Sequence, residues 1–239
     1  MRFLIAIICM VGSPACAASI AFTTESYPPF SFLKDGVPAG AGVEQVSRMM
    51  MEAGSDMHFT IEVLPWARAL ALAETQPDHC VFATARTPER ENRFKWVGPM
   101  QMDRNSLVRR AGSAVHVPNL AAAKAYRIGT QRDDYTEALL QQKGFTGIDL
   151  SASFDLTLAK LLGGRIDLMP MSQPVMKKLL KEQQPIEPVV ELSQQELAIA
   201  CNKSVANALI ARMQTALDRL KANGTVDRIY RAYGVELVH

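Results

Sequence analysis

The run Thr87-Pro88-Glu89-Arg90 has the form of a helix start, with Thr87 as N-cap and Pro88 at the first helical position. That puts Arg90 in the first turn, where the positive end of the helix dipole disfavours a cation by about 0.3–1 kcal/mol. Binding a carboxylate would offset the cost, because a guanidinium forks around it with two charge-assisted hydrogen bonds. Surface pairing with Glu89 or Glu91 is the plain alternative. Tyr27 and Trp66 each follow a strand-like run, and aromatic walls with a polar tip suit a small amphiphilic solute. Trp66 would serve equally as a core anchor of its helix. Arg68, further along that helix, could reach the mouth of a cleft or lie on a solvated face. Asp133 and Asp134 precede a helix, where an aspartate can meet a ligand amine or simply cap the helix.

The elements that must position these residues follow from periodicity. Ser19 to Thr24 reads as a short buried strand, and Tyr27-Pro28-Pro29-Phe30 is extended because each proline disfavours the helical region for the residue before it. Gly40-Ala41-Gly42 leads into a helix with Val43, Val46, Met49, Met50 and Ala53 on one face, ending at Gly54. His58 to Leu64 is a strand, and Pro65 starts a helix through Trp66, Arg68 and Leu70. Strand and helix alternate, as in a parallel sheet covered by helices. One unit occurs twice. Ala67 to Glu74, a turn at Asp78 and the strand His79 to Ala83 match Leu156 to Leu162, Gly163-Gly164, Asp167 and the strand Leu168 to Met171. Two similar lobes are the natural inference, with Trp96-Val97-Gly98-Pro99 marking the exit from the first and Asn105 to Arg110 a strand entering the second. Glu196 to Cys201 is again a strand. From Ser204 a helix carries Leu209, Met213, Leu217 and Leu220 on one stripe, and Asn223-Gly224 stops it.

The amino terminus reads as a secretory signal over residues 1–18: Arg2, an apolar run from Phe3 to Val11, then Ala15-Cys16-Ala17 in the small-x-small form of a cleavage site. Lipid attachment at Cys16 would want a leucine among Ser13-Pro14-Ala15, so plain cleavage near Ala17 or Ala18 is expected. No later stretch approaches the roughly 18 apolar residues of a membrane helix. The expected location is the periplasm. A net charge of +2 over 239 residues leaves no electrostatic footprint for nucleic acid. Cys80 and Cys201 could pair in an oxidising compartment or remain two buried thiols in separate strands. The four histidines, His58, His79, His116 and His239, lack metal-ligand spacing, and neither a Gly-x-Ser-x-Gly elbow nor a phosphate-binding glycine loop occurs. Neither a cofactor nor a metal is expected.

Taken in order, six motifs resemble the periplasmic solute-binding proteins that serve ABC importers of polar amino acids. They are Tyr27 to Phe30, Gly40 to Glu44, Thr87 to Arg90, Phe94 to Pro99, Gly163 to Asp167, and Asn223-Gly224-Thr225 with Tyr230. The resemblance covers essentially the whole mature chain. It implies an α/β fold of two Rossmann-like lobes joined by two crossovers, the type II periplasmic binding protein fold, with ligand buried between them. The lobes would be 19–102 plus 196–239 and 103–195. It also implies that Arg90 grips an α-carboxylate, that Tyr27 and Trp66 sandwich the ligand, and that Glu44 and Asp167 serve structure.

This chain departs from the family where the ligand should be named. Small hydroxyl residues are replaced by Ala83 and Ala85, a glycine-serine-threonine turn by Asp133-Asp134-Tyr135, and the acid that holds the ligand's ammonium by Ser172. The expected ligand-binding set is therefore Tyr27, Trp66, Arg68, Arg90, Asp134, Tyr135 and Ser172, around an amino acid or related carboxylate. The expected partners are that solute and an ABC permease or a membrane receptor, with the chain itself a monomer and not an enzyme. A dehydratase resembling cyclohexadienyl dehydratase would instead need a general acid or base, for which Asp134 and Glu25 are the candidates.

Overall fold

The computed structural model describes residues 19–54 and 58–237, so the signal segment 1–18 lies outside the described residues. The first half begins with β1 (Ser19–Thr24), a small hairpin of β2 (Phe32–Lys34) and β3 (Val37–Ala39), α1 (Ala41–Ala53), β4 (His58–Val63), α2 (Trp66–Thr75), β5 (His79–Ala85) and the short α3 (Pro88–Glu91). β1 lies between β4 and β5, parallel to both, with Phe22 opposite Ile61 on one side and Cys80 on the other. α1 buries Val43, Val46, Met49 and Met50, the apolar stripe its period required, in a core shared with Phe22, Phe30 and Phe82. It can start there only because Gly40 has φ 123° and a Cβ would sit 2.4 Å from the Phe30 carbonyl oxygen.

Two long antiparallel strands, β6 (Lys95–Arg110) and β10 (Ile186–Cys201), run from the first half into the second. They pair from Cys201 opposite Lys95 at one end to Ile186 opposite Arg110 at the other. The expected exit at Trp96 to Pro99 is therefore not a break: β6 continues through it to include Asn105 to Arg110, and β10 begins well before Glu196. Prolines signalled interruption because they cannot join a regular ladder. Here the register shifts between Leu197 and Ile199, opposite the Gly98-Pro99 stretch, and again beside Pro188, so the strands carry them as bulges.

The second half contains α4 (Leu120–Ala123), β7 (Gly129–Gln131), α5 (Tyr135–Gln142), β8 (Asp149–Ser151), α6 (Phe154–Leu162), β9 (Met169–Ser172) and α7 (Gln173–Lys181). β7 pairs in parallel with β8, Ile128 forms a parallel bridge to Leu168, and β9 lies antiparallel to β6. Leu107, Ile128, Leu140, Phe145 and Leu168 form a core local to this half. After β10 the chain returns to the first half as α8 (Asn207–Ala222) and α9 (Thr225–Ala232), which pack against α1. The main sheet has the order β4-β1-β5-β10-β6-β9, and the parallel runs expected from strand-helix alternation are flanked by antiparallel crossovers.

Of the two readings left open for the cysteines, the structure has the disulfide. Cys80 and Cys201 are directly opposite across β5 and β10, fully buried, with their sulfurs bonded. No helix among the described residues is long and apolar enough to cross a membrane.

Candidate functional site

β1, β4 and β5 point their carboxyl ends at the same gap that β7 and β9 face from the second half, the place where ligands of such sheets bind. The cleft is lined from both sides, with about 70 Å3 available to the centre of a water-sized sphere.

On the first half, Arg90 is only 5% exposed despite its charge. The turn that starts α3 aims it into the cleft. Its Nη1 donates to the Ala85 carbonyl at 3.3 Å and its Nη2 to the carbonyl of Asp133, across the cleft, at 2.7 Å. The Trp66 indole N–H donates to the same Asp133 oxygen at 2.9 Å, and the guanidinium carbon sits 5.7 Å from the centre of the Trp66 ring. Arginine, tryptophan and one backbone carbonyl thus form a contact between the halves. Asp133 can present that carbonyl because its φ is 60°, a left-handed conformation that aspartate tolerates better than most residues. Burial lowers the Arg90 pKa below its ordinary value, opposed by the Asp134 carboxylate.

A second cluster sits on β6. Asp103 is 5% exposed and accepts hydrogen bonds from the Ser172 hydroxyl at 2.6 Å and from the Asn105 amide at 3.0 Å. Burial raises its pKa to about 6, against the lowering effect of the Ser172 and Asn105 bonds. Ser172 also donates its backbone N–H to the Tyr27 phenol oxygen at 3.1 Å, tying β9 to the segment after β1. Burial, and then the charge of Asp103, pushes the Tyr27 phenol well above its usual range. Its ring meets Phe154 edge-on at 4.9 Å and stacks on Phe30 at 6.1 Å, forming an aromatic wall.

Glu25 completes the acidic lining. Gln131 Nε2, at the end of β7, donates to its carboxylate at 2.5 Å, another contact between the halves. Burial raises the Glu25 pKa well above the usual carboxylate range, and the nearby Asp134 and Asp155 raise it further. Asp134 caps α5, accepting from the Thr136 N–H at 2.8 Å, yet it also lines the cleft. Tyr135 begins α5 beside it, its hydroxyl 3.2 Å from that of Ser193.

Five expected residues therefore meet in one cleft: Tyr27, Trp66, Arg90, Asp134 and Tyr135. Ser172 lies fully buried just behind, where it holds Asp103, and Arg68 is exposed on α2 outside the lining. Sequence reasoning missed Asp103, Asn105 and Gln131, and considered Glu25 only as a possible acid for catalysis. A signal existed for β6: Gln101, Asp103 and Asn105 alternate along the strand and all three are buried, so three polar side chains share an inward face where apolar ones are the rule. Among the described residues, the lining holds three carboxyl groups, Glu25, Asp103 and Asp134, and one cation, Arg90. Among the same residues no cluster of three or more His, Cys, Asp or Glu could hold a metal ion.

No curated protein matches this sequence. Solved structures do. A histidine kinase sensor domain similar to periplasmic binding proteins superposes with a TM-score of 0.83 at 19% identity, covering 92% of this chain and 98% of that one. An arginine-, lysine-, histidine-binding protein from the thermophilic bacterium Geobacillus stearothermophilus gives 0.82 at 18% identity, over 91% and 96%. An ancestral amino acid-binding protein, a precursor of cyclohexadienyl dehydratase, gives 0.76 at 18% identity, over 90% and 95%. At such identities the likeness establishes the fold alone, that of the periplasmic binding proteins. The sequence model of one family matches residues 20–236, nearly all of the described chain, and the protein belongs to the bacterial extracellular solute-binding proteins, family 3.

Proposed function

We propose that this chain is a periplasmic receptor that closes around a small polar solute and presents the closed form to a membrane permease of the ABC importer type. The observation that carries the reading is the cleft itself, lined from both halves and bridged by bonds from Arg90 and Trp66 to Asp133 and from Gln131 to Glu25. Residues 19–102 with 196–239 would form one lobe and 103–195 the other, hinged where β6 and β10 cross. Ligand would bridge the lobes, exclude water and shift the population toward closure. Of the expected amino acid, the ammonium end finds a counterpart in Asp103, which occupies the place next to Ser172 where the family's own acid is missing.

A second reading is a sensory module reporting to a membrane receptor, favoured by the likeness to a histidine kinase sensor domain. An enzyme on this fold is less well supported. Glu25 has the raised carboxyl that a general acid needs, but the Gln131 amide holds it.

The test is native mass spectrometry of the purified mature chain to identify any bound small molecule, followed by calorimetric titration and a turnover assay of that compound. Tight binding with the compound recovered unchanged supports a receptor. Chemical conversion of the compound, or no binding by any of a broad panel, would refute it.

A further inference from the structure

The charge and the hydrogen-bond donors of the cleft restrict what its solute can carry. A ligand carboxylate would enter a lining that has, among the described residues, three carboxyl groups and the single cation Arg90. Arg90 has already directed Nη1 to Ala85 and Nη2 to Asp133, both backbone carbonyls. The hydroxyls that could help are bonded within the protein: Thr24 with Ser31, Ser31 to the Glu25 carbonyl, Thr130 with Thr136, and Thr136 to the Asp134 carboxylate. Ala83 and Ala85 line the same wall and supply no side-chain donor. The Tyr27 hydroxyl, which accepts from Ser172, keeps its own proton to donate, and the Asn105 and Gln131 amides each keep a second N–H, but neutral donors do not supply the positive charge that a carboxylate beside Asp103 and Asp134 would need.

The same lining suits a cation. Asp103 is buried and held by the Ser172 and Asn105 side chains, one to each oxygen, and by the Arg104 backbone N–H, which still leaves a carboxylate lone pair for a ligand N–H group. The aromatic rings of Tyr27, Phe30, Trp66, Phe82, Tyr135 and Phe154 all contribute to the walls. Aromatic faces attract organic cations, and more strongly when both are desolvated. An excess of acids over bases among aromatic walls is the environment of an ammonium group with apolar substituents.

We infer that the solute is a small organic ammonium ion without a carboxylate, such as a decarboxylated amino acid or a diamine, with its charged nitrogen on Asp103. This rests on the receptor reading above and narrows it. The mature chain would be titrated calorimetrically, under identical conditions, with three matched pairs that differ only by a carboxylate: ethanolamine and serine, putrescine and ornithine, agmatine and arginine. At least one amine is expected to bind tenfold or more tighter than its amino acid, and Asp103→Asn should weaken that amine by 30-fold or more. Amino acids binding as tightly as their amines, or failure of all three amines, would overturn the inference. A chain that binds amino acids but not amines still supports the receptor reading, whereas one that binds nothing in a broad panel overturns both.

Discussion

Replacing Asp103 by asparagine should stabilise the unliganded protein at neutral pH and impair ligand binding at the same time. The carboxyl has a pKa raised from 3.8 to about 6 because burial disfavours its charge. The folded state holds the proton more tightly than the unfolded state, so the penalty for ionisation is absent below pH 3.8, grows between the two pKa values and is complete above about 6. About two pH units correspond to about 3 kcal/mol. The introduced amide would keep an acceptor for Ser172, and Asn105 would have to rotate its own amide to present oxygen instead of nitrogen, a rearrangement whose cost is nearly the same at every pH. The informative quantity is therefore the difference in unfolding free energy, variant minus parent, followed from pH 4 to pH 7 by urea denaturation. It should rise in favour of the variant by about 3 kcal/mol, roughly 6–12 °C in melting temperature for a chain of this size. Parallel pH profiles for the two proteins would refute the assignment of a strained, buried carboxylate at this position. In the same variant, loss of a buried charge partner for a ligand ammonium should cost about 2–5 kcal/mol of affinity.

Three further outcomes test other parts of the structure. Arg90→Ala removes a charge-assisted bond to the Asp133 carbonyl and the stacking on Trp66, so the closed form should lose about 1.5–3 kcal/mol, read as a 10- to 150-fold weaker ligand affinity with little change in melting temperature. Unaltered affinity would show that this contact between the halves does not contribute to closure. Changing both Cys80 and Cys201 to alanine opens a loop closed over 121 residues and should lower the urea-unfolding free energy by about 2–4 kcal/mol. A reductant should destabilise the parent but leave the double variant unmoved. Gly40→Ala forces a side chain into φ 123° with its Cβ 2.4 Å from the Phe30 carbonyl oxygen, and should cost about 1–3 kcal/mol by the same denaturation measurement, more if α1 has to shift.

The outline of the fold was legible because its signals are local. The apolar stripe of α1 repeats at helical spacing, Pro88 after Thr87 marks the start of α3, and the twice-used helix-turn-strand unit points to two halves; each is a matter of period or dihedral preference within a few residues. The same locality misled at Gly98-Pro99, where a proline that argues against a strand is absorbed by a bulge that only the partner strand can create.

The chemistry of the cleft was less accessible. Tyr27, Trp66 and Arg90 could be singled out from the elements they follow or begin, but what each touches could not. Arg90 bonds a backbone carbonyl 43 residues away, and a carbonyl has no residue type to read. Asp103 became a site residue when β9 brought Ser172 beside it, across 69 residues. Sequence by itself marked α1, α2, α3, α6 and α8 and the strands β1, β4, β5 and β9, pointed to two halves, and set which side chains could carry charge. Tertiary structure decided that Cys80 faces Cys201, that three acids and one arginine line the same cleft, and that the arginine's hydrogen bonds run to the protein. Those depend on strand register and on the meeting of two halves of the chain, and pairing over such distances leaves no local period in the sequence.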